Sequence, residues 1–131
     1  MELGALRKAL PEFHALGATL VAISPQLREF NQAVSEKRRL NYDILADPGN
    51  RVATQFGISY PVDDKLRQLY LSHGVDLRKY NGDDSWTLPM PARFVMDAAG
   101  TIRYVSINPD YRDRAEPADT VAALRNGVLK W

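Results

Sequence analysis

Four side chains in this sequence have types and positions that could bind a metal or transfer protons. Asp47 and Asp97 each follow an apolar run, and carboxylates at the ends of parallel strands can bind metal or phosphate. Each also stands in a turn signal, Asp-Pro-Gly or Asp-Ala-Ala-Gly, where aspartate accepts hydrogen bonds from nearby backbone. His14 and His73 fall within or at the end of apparent helices. We expect turn roles for the aspartates, structural roles for the histidines, and no metal site.

Cysteine chemistry is absent from the sequence. The 131 residues include no cysteine, which excludes a thiolate nucleophile, a disulfide and a cysteine-ligated metal. No paired carboxylates or phosphate loop replace it as a catalytic motif, so we predict no catalytic residue and no cofactor.

The composition is typical of one globular domain, which we predict to span 1–131. With 17 basic and 16 acidic residues the net charge is +1, which gives no reason to expect binding to nucleic acid or membranes. No window approaches the ~20 apolar residues of a membrane span. The N-terminus lacks the basic and apolar regions of a signal peptide, so we predict a cytoplasmic location.

The elements that would position these side chains alternate between helix and strand. The predicted helices are 2–16, 26–37, 50–56, 62–71 and 116–129, and the predicted strands are 18–23, 41–46, 93–96 and 102–107. The run 18–23 is apolar and β-branched, which predicts a parallel strand buried on both faces. The last two strands flank a short turn and predict an antiparallel hairpin. The segment 72–91 is predicted to be irregular, and the order predicts an α/β domain with a mixed sheet.

Four segments occur in an order and at distances that are informative together: 18–25 (ATLVAISP), 42–48 (YDILADP), 88–97 (LPMPARFVMD) and 100–105 (GTIRYV). With them the chain resembles the peroxiredoxin-like AhpC/TSA (thiol-specific antioxidant) family of the thioredoxin-like fold. In that family a strand leads into a loop with the peroxidatic cysteine, which begins the helix that matches 2–16. The resemblance therefore implies a thioredoxin-like fold that is N-terminally incomplete and lacks this strand and cysteine.

The resemblance also implies two remnants of an active site, Pro91 and Arg93. The proline before the penultimate strand of thioredoxin-like folds is usually cis and faces the nucleophile, so we predict a cis Met90–Pro91 bond. The family's arginine usually stands three residues before the phenylalanine, where this chain has Pro91, so Arg93 is out of register. The alternatives are that Arg93 faces solvent or pairs with a carboxylate, and that Pro89 and Pro91 stiffen a loop.

The strand that the resemblance implies is missing would lie between 18–23 and 93–96. Each unpaired buried backbone group costs about 1–3 kcal/mol, against a total stability of about 5–15 kcal/mol. The missing neighbour could be replaced by direct pairing of the two strands, by strand or helix exchange in a homodimer, or by a segment of a longer native chain.

The sequence therefore predicts a peroxiredoxin-like oxidoreductase domain that is inactive in this form. Peroxide reduction needs a thiolate that becomes a sulfenic acid, so peroxide would be a substrate only with the missing N-terminal segment present. The alternative is a non-catalytic module that binds a partner through the hairpin edge or the segment 72–91. A third, weaker hypothesis is a phosphate- or metal-binding domain that uses Asp47 or Asp97.

Overall fold

The structure is a computed structural model that describes residues 2–107 and 117–127. Its helices are α1 (Glu2–Ala15), α2 (Arg28–Lys37), α3 (Arg51–Gln55), α4 (Asp64–Ser72), α5 (Leu77–Asn81) and α6 (Pro117–Gly127). Its strands are β1 (Val21–Ser24), β2 (Asp43–Ala46), β3 (Ser59–Pro61), β4 (Thr87–Pro89), β5 (Ala92–Met96) and β6 (Ile102–Ile107). Within these described ranges, none of the helices combines the length and the apolar character that a membrane crossing requires.

The chain forms two compact units. Unit 1 comprises Met1–Val21, Arg38–Asp43 and Pro91–Trp131, and unit 2 comprises Ala22–Lys37 and Ile44–Met90. Both units are therefore built from separate stretches of sequence.

The core of unit 1 lies between α1 and α6. Apolar residues at helical spacing on α1, together with two on α6, are buried: Leu6, Leu10, Phe13, Val121 and Leu124. Burial of a leucine or phenylalanine side chain contributes about 1.5–3 kcal/mol, so this contact is a main source of stability in the unit. α6 also lies against β5 and β6.

A second set of contacts in unit 1 joins α1 to the stretch Arg38–Asp43. The hydroxyl of Tyr42 donates to the carbonyl oxygen of Leu3 at 2.9 Å, and Nη1 of Arg7 donates to the carbonyl oxygen of Arg38 at 3.1 Å. Tyr42 is buried, so its hydroxyl needs such a partner. The N-terminal half of α1 is thereby fixed to this stretch.

Unit 2 is organised around the start of α2 and the chain after α4. The N–H of Leu27 donates to the carbonyl oxygen of Tyr80 at 2.7 Å, and the rings of Phe30 and Tyr80 meet edge to face at 4.8 Å. β3 and β4 pair antiparallel, with Tyr60 opposite Leu88. The segment 72–91 was predicted to be irregular, and that prediction is wrong, because it contains α5 and β4. Both are short elements that depend on tertiary pairing rather than on a sequence period.

The hairpin prediction is confirmed. β5 and β6 pair antiparallel with Phe94 opposite Val105, and the register shifts between Val95 and Met96. β1 and β2 are neighbouring strands joined through α2, as the strand–helix–strand pattern predicted.

The described strands pair in three sheets of two strands each. β1 pairs with β2, and β5 pairs with β6. The prediction that β1 is buried on both faces is also wrong: Val21 is 52% exposed and Ile23 is 49% exposed. An apolar composition favours burial of a strand, but it does not determine whether another element packs against the strand.

Two glycines provide a test of packing in unit 2. Gly82 follows α5 with φ 71°, and a Cβ atom there would lie 2.8 Å from Cδ2 of Leu27. Gly74 has nearly the same backbone, φ 76°, but a Cβ atom would meet nothing within 4 Å. Alanine at either site adopts a left-handed conformation that costs about 1–2 kcal/mol.

We predict that Gly82→Ala lowers the free energy of unfolding by about 1 kcal/mol more than Gly74→Ala, because the added methyl group displaces Leu27. Urea denaturation of both variants measures this difference. In a Leu27→Ala background the difference should disappear. Equal destabilisation by the two substitutions in the original background would contradict the packing of Leu27 on Gly82.

Candidate functional site

Pro91 lies directly before β5, where the resemblance placed it, but its peptide bond is trans. The described part of the chain contains no cis peptide bond, so the predicted cis Met90–Pro91 bond is wrong. A trans X–Pro bond is favoured by about 0.5–1 kcal/mol unless a tight turn requires the cis form. Here β4 ends at Pro89 and β5 begins at Ala92, and neither intervening residue forms a turn.

Arg93 projects from β5 toward α6 within unit 1. Its Nη1 donates to Oγ1 of Thr120 at 2.8 Å, and Thr120 is buried. On the opposite strand Arg93 is in register with Ser106. One partner of this guanidinium group is therefore a hydroxyl group of a neighbouring helix. This contact holds the guanidinium group against α6.

Asp47 acts in the turn that precedes α3. Its two carboxylate oxygens accept hydrogen bonds from the N–H groups of Val52 and Ala53 at 2.9 and 3.0 Å. Its own N–H donates to the carbonyl oxygen of Ser24 at 2.8 Å, which ties the turn to the end of β1. These bonds use both oxygens of the buried carboxylate, so the predicted turn role is confirmed.

Asp97 organises the turn between β5 and β6. Oδ1 accepts from the N–H groups of Ala99 and Thr101, and Oδ2 accepts from Nε of Arg103 at 3.0 Å. The N–H of Thr101 is the main cause that lowers the pKa of Asp97 from its ordinary value; Arg103 and Ala99 lower it further, while partial burial opposes the shift. The carboxylate acts here as a turn-forming group, as predicted.

The two histidines do not converge with the aspartates on a metal site. His14 is exposed on the last turn of α1, and Nδ1 of His73 lies 2.9 Å from the carbonyl oxygen of Leu69 at the end of α4. Among residues 2–107 and 117–127, no three histidine, cysteine, aspartate or glutamate side chains lie close enough to hold a metal ion.

The aromatic stretch before β4 packs into unit 2. Trp86 is buried and its carbonyl oxygen accepts from the N–H of Val62 at 2.7 Å. The guanidinium carbon of Arg67 lies 5.2 Å from the centre of the Trp86 ring. Sequence reasoning did not single out Arg67, because nothing in the spacing along the chain shows which side chain covers a tryptophan. It also missed Asn50, although an asparagine just after Pro-Gly is a common left-handed position.

The hairpin of β5 and β6 exposes several large apolar side chains. These residues, which we call the hairpin surface, are Met96, Ile102, Val105 and Ile107. Each is at least 40% exposed. An exposed apolar strand pair is a typical place for a second chain to bind.

A family model, a curated relative and solved structures all relate this chain to peroxiredoxins. The model of the AhpC/TSA family matches residues 1–105. A putative peroxiredoxin, bcp, of Haemophilus influenzae is 38% identical over 53 residues, which are 40% of this chain and 34% of that protein. This chain therefore spans about a third of that relative's length.

Two crystal structures share the fold. Peroxidoxin BcpB from Mycobacterium tuberculosis has a TM-score of 0.71 at 23% identity, over 95% of this chain and 68% of that one. AhpC of Enterococcus faecalis has a TM-score of 0.71 at 19% identity, over 98% of this chain and 65% of that one. The fold of this chain is that of these peroxiredoxins, a thioredoxin-like α/β fold.

The turn role of Asp97 predicts how stability depends on pH. Its pKa is lowered on folding, so its contribution is fully present above the ordinary value of about 3.9 and is lost as pH falls through the folded-state pKa. We expect Asp97→Asn to be less stable than the unsubstituted protein at pH 7, and we expect this difference to shrink as pH falls below the ordinary value. Urea denaturation at pH 7 and at a series of lower pH values measures this.

Arg103→Lys serves as the control for Asp97. Because the N–H of Thr101 is the main cause of the lowered pKa of Asp97, the stability of Arg103→Lys should depend on pH nearly as strongly as that of the unsubstituted protein. Equal stability of Asp97→Asn and the unsubstituted protein at pH 7 would show that the carboxylate does not hold the turn.

Proposed function

The chain belongs to the AhpC/TSA family, and from this membership we propose that it is the scaffold of a thiol-dependent peroxide reductase that carries no nucleophile. The sequence contains no cysteine, and this single observation supports the proposed inactivity. In peroxide reduction a thiolate attacks one oxygen of the O–O bond, becomes a sulfenic acid, and releases hydroxide. A thiol reductant must then restore the thiolate, and no other side chain readily replaces sulfur in this cycle.

Peroxide is the proposed substrate only for a form that includes a cysteine-bearing segment. In that form Pro91 would face the reacting sulfur, as the family resemblance implies, whereas Arg93 is out of register with the family's arginine. The hydrogen bond from Arg93 to Thr120 supports a role in positioning β5 against α6 in the present chain.

The alternative function is a non-catalytic interaction module. The hairpin surface favours this alternative, because four exposed apolar side chains on two paired strands form the kind of patch that typically binds another protein. The segment 72–91 is the weaker of the two proposed contact regions, since Asn81 and Trp86 are buried within unit 2. We propose a second copy of the chain as the partner, by pairing or strand exchange at the hairpin. A cytoplasmic location remains a prediction from the sequence.

The inactivity can be tested with a peroxide-consumption assay that uses dithiothreitol as reductant. We predict no turnover above the uncatalysed rate for the present chain, because it lacks a thiolate. A longer form with a cysteine ahead of α1 should consume hydrogen peroxide, and its Cys→Ser variant should not. Thiol-dependent turnover by the present chain would refute the proposal.

Self-association at the hairpin can be tested by analytical ultracentrifugation. We predict a dimer that Val105→Asp converts to a monomer, because a charge on the hairpin surface would have to be buried at the interface. Leu69→Asp, at an equally exposed position on α4, is the matched control and should leave the dimer intact. A monomer at all concentrations, or dissociation by both substitutions, would exclude this interface. Circular dichroism confirms that each variant is folded.

A further inference from the structure

Methionine supplies all the sulfur of this chain, which has three methionines and no cysteine. The structure describes the side chains of two of them. Met96 is the last residue of β5 and is 47% exposed. Met90 is less exposed, and its N–H donates to the carbonyl oxygen of Ile58 at 2.8 Å. Peroxides oxidise the thioether of methionine to a sulfoxide, and Met96 is the more accessible of these two thioethers.

Met96 lies opposite an apolar residue because the pairing of β5 with β6 is irregular. Val95 lies opposite Tyr104, so regular antiparallel pairing would place Arg103 opposite Met96. The register shift places Ile102 there instead. A β-bulge of this kind changes the direction of the side chains beside it. The shift therefore pairs two apolar residues at a position where an arginine would otherwise stand.

The residue that the shift leaves out of the pairing is bound within the turn. Nε of Arg103 donates to Oδ2 of Asp97 at 3.0 Å. The Asp97 side chain is only 8% exposed, so this ion pair belongs to the folded turn rather than to the open surface. The bulge thus separates a charged pair from the apolar residues of the hairpin.

Met96 shares one face of the hairpin with the other members of the hairpin surface. Along β6 the exposed Val105 and Ile107 alternate with the less exposed Ser106, as expected for one face of a strand. Phe94 lies opposite Val105, and Met96 follows Phe94 by two residues on β5. Side chains two residues apart in a strand lie on the same face. The oxidisable sulfur is therefore part of the apolar surface itself.

We propose that Met96 is an oxidation site through which hydroperoxides control self-association at the hairpin surface. A lone pair of the sulfur attacks one oxygen of hydrogen peroxide, so that an S–O bond forms and the O–O bond breaks. The proton of the transferred oxygen passes to the departing oxygen, which leaves as water. The sulfur loses two electrons and the peroxide gains two. The reaction occurs once per chain and needs no thiolate, so it is not catalytic turnover.

The consequence for self-association follows from the polarity of the product. The thioether of Met96 is apolar and flexible, whereas a sulfoxide carries a strong hydrogen-bond acceptor. Burial of this acceptor between two chains is unfavourable unless a donor is provided. On a single chain the side chain is exposed, so the sulfoxide is hydrated and the fold is retained. This inference rests on the proposed self-association at the hairpin.

The modification site can be tested by peptide mass spectrometry after treatment of dilute protein with hydrogen peroxide. Trypsin separates Met90, in the peptide 80–93, from Met96, in the peptide 94–103. Fragmentation of each peptide assigns the added oxygen to its residue. We expect Met96 to be oxidised several-fold faster than Met90. Equal rates, or faster oxidation of Met90, would overturn the assignment of the site, whatever the oligomeric state.

The effect on association can be tested by analytical ultracentrifugation before and after the same treatment. We expect oxidation to raise the dissociation constant of the dimer about tenfold or more, and methionine sulfoxide reductases to restore it. Met96→Leu keeps an apolar side chain of similar size and should give a dimer that peroxide leaves intact. Met90→Leu is the matched control and should dissociate on oxidation as the parent does.

The two arms separate failure of this inference from failure of the proposed interface. A dimer that persists after complete oxidation of Met96, or equal weakening of the parent and Met96→Leu, would overturn the control of association while the interface stands. A monomer before treatment would overturn the interface, and the control of association with it. Circular dichroism of the oxidised protein must show a retained fold, since unfolding on oxidation would also overturn the proposal.

Discussion

The backbone N–H and C=O groups along both edges of a strand need hydrogen-bond partners, which are either a neighbouring strand or water. This requirement governs much of what is observed in this chain. Among the described residues each sheet has two strands, so each strand has one neighbouring strand. Several apolar side chains of these strands also lack cover, because Val21 and Ile23 of β1 and Val105 of β6 are about half exposed. An exposed edge can be hydrated, whereas a buried one cannot, which makes short and open strands tolerable. The same openness is the reason that we propose the hairpin as the surface for a second chain.

The parts of the fold that could be predicted are those with a local cause. The periodic apolar residues of α1 predicted its buried face, and the turn Asp-Ala-Ala-Gly between two β-rich runs predicted the hairpin. β3 and β4 have three residues each, and they exist because Tyr60 and Leu88 face each other across a ladder. No pattern of that length distinguishes a strand from a loop. The two wrong predictions have different origins: the burial of β1 was predicted from its apolar composition, and the cis Met90–Pro91 bond was predicted from the family resemblance.

The candidate site was predictable to a similar extent. Aspartate in a turn signal bonds to nearby backbone for reasons that the sequence contains, and Asp47 and Asp97 do so. Arg93 could be placed on its strand, but its partner Thr120 is distant in sequence and depends on how α6 packs. The contact between Arg67 and Trp86 has the same character. Sequence reasoning identifies residues that act on their own backbone, and it misses those whose chemistry depends on a distant neighbour.

Among the described residues, those that break local backbone rules occur in both units. Asn50 and Trp86 in unit 2 and Arg39 in unit 1 have positive φ values, and the Nε of Arg67 in unit 2 is shielded from solvent without a hydrogen-bond partner. Pro91 and Arg93, which the family resemblance connects with peroxide chemistry, belong to unit 1 and have ordinary backbone there. Strained backbone conformations persist only where the surrounding structure over-determines them. In this chain the surroundings of Asn50 and Trp86 can supply that support, since both side chains are buried.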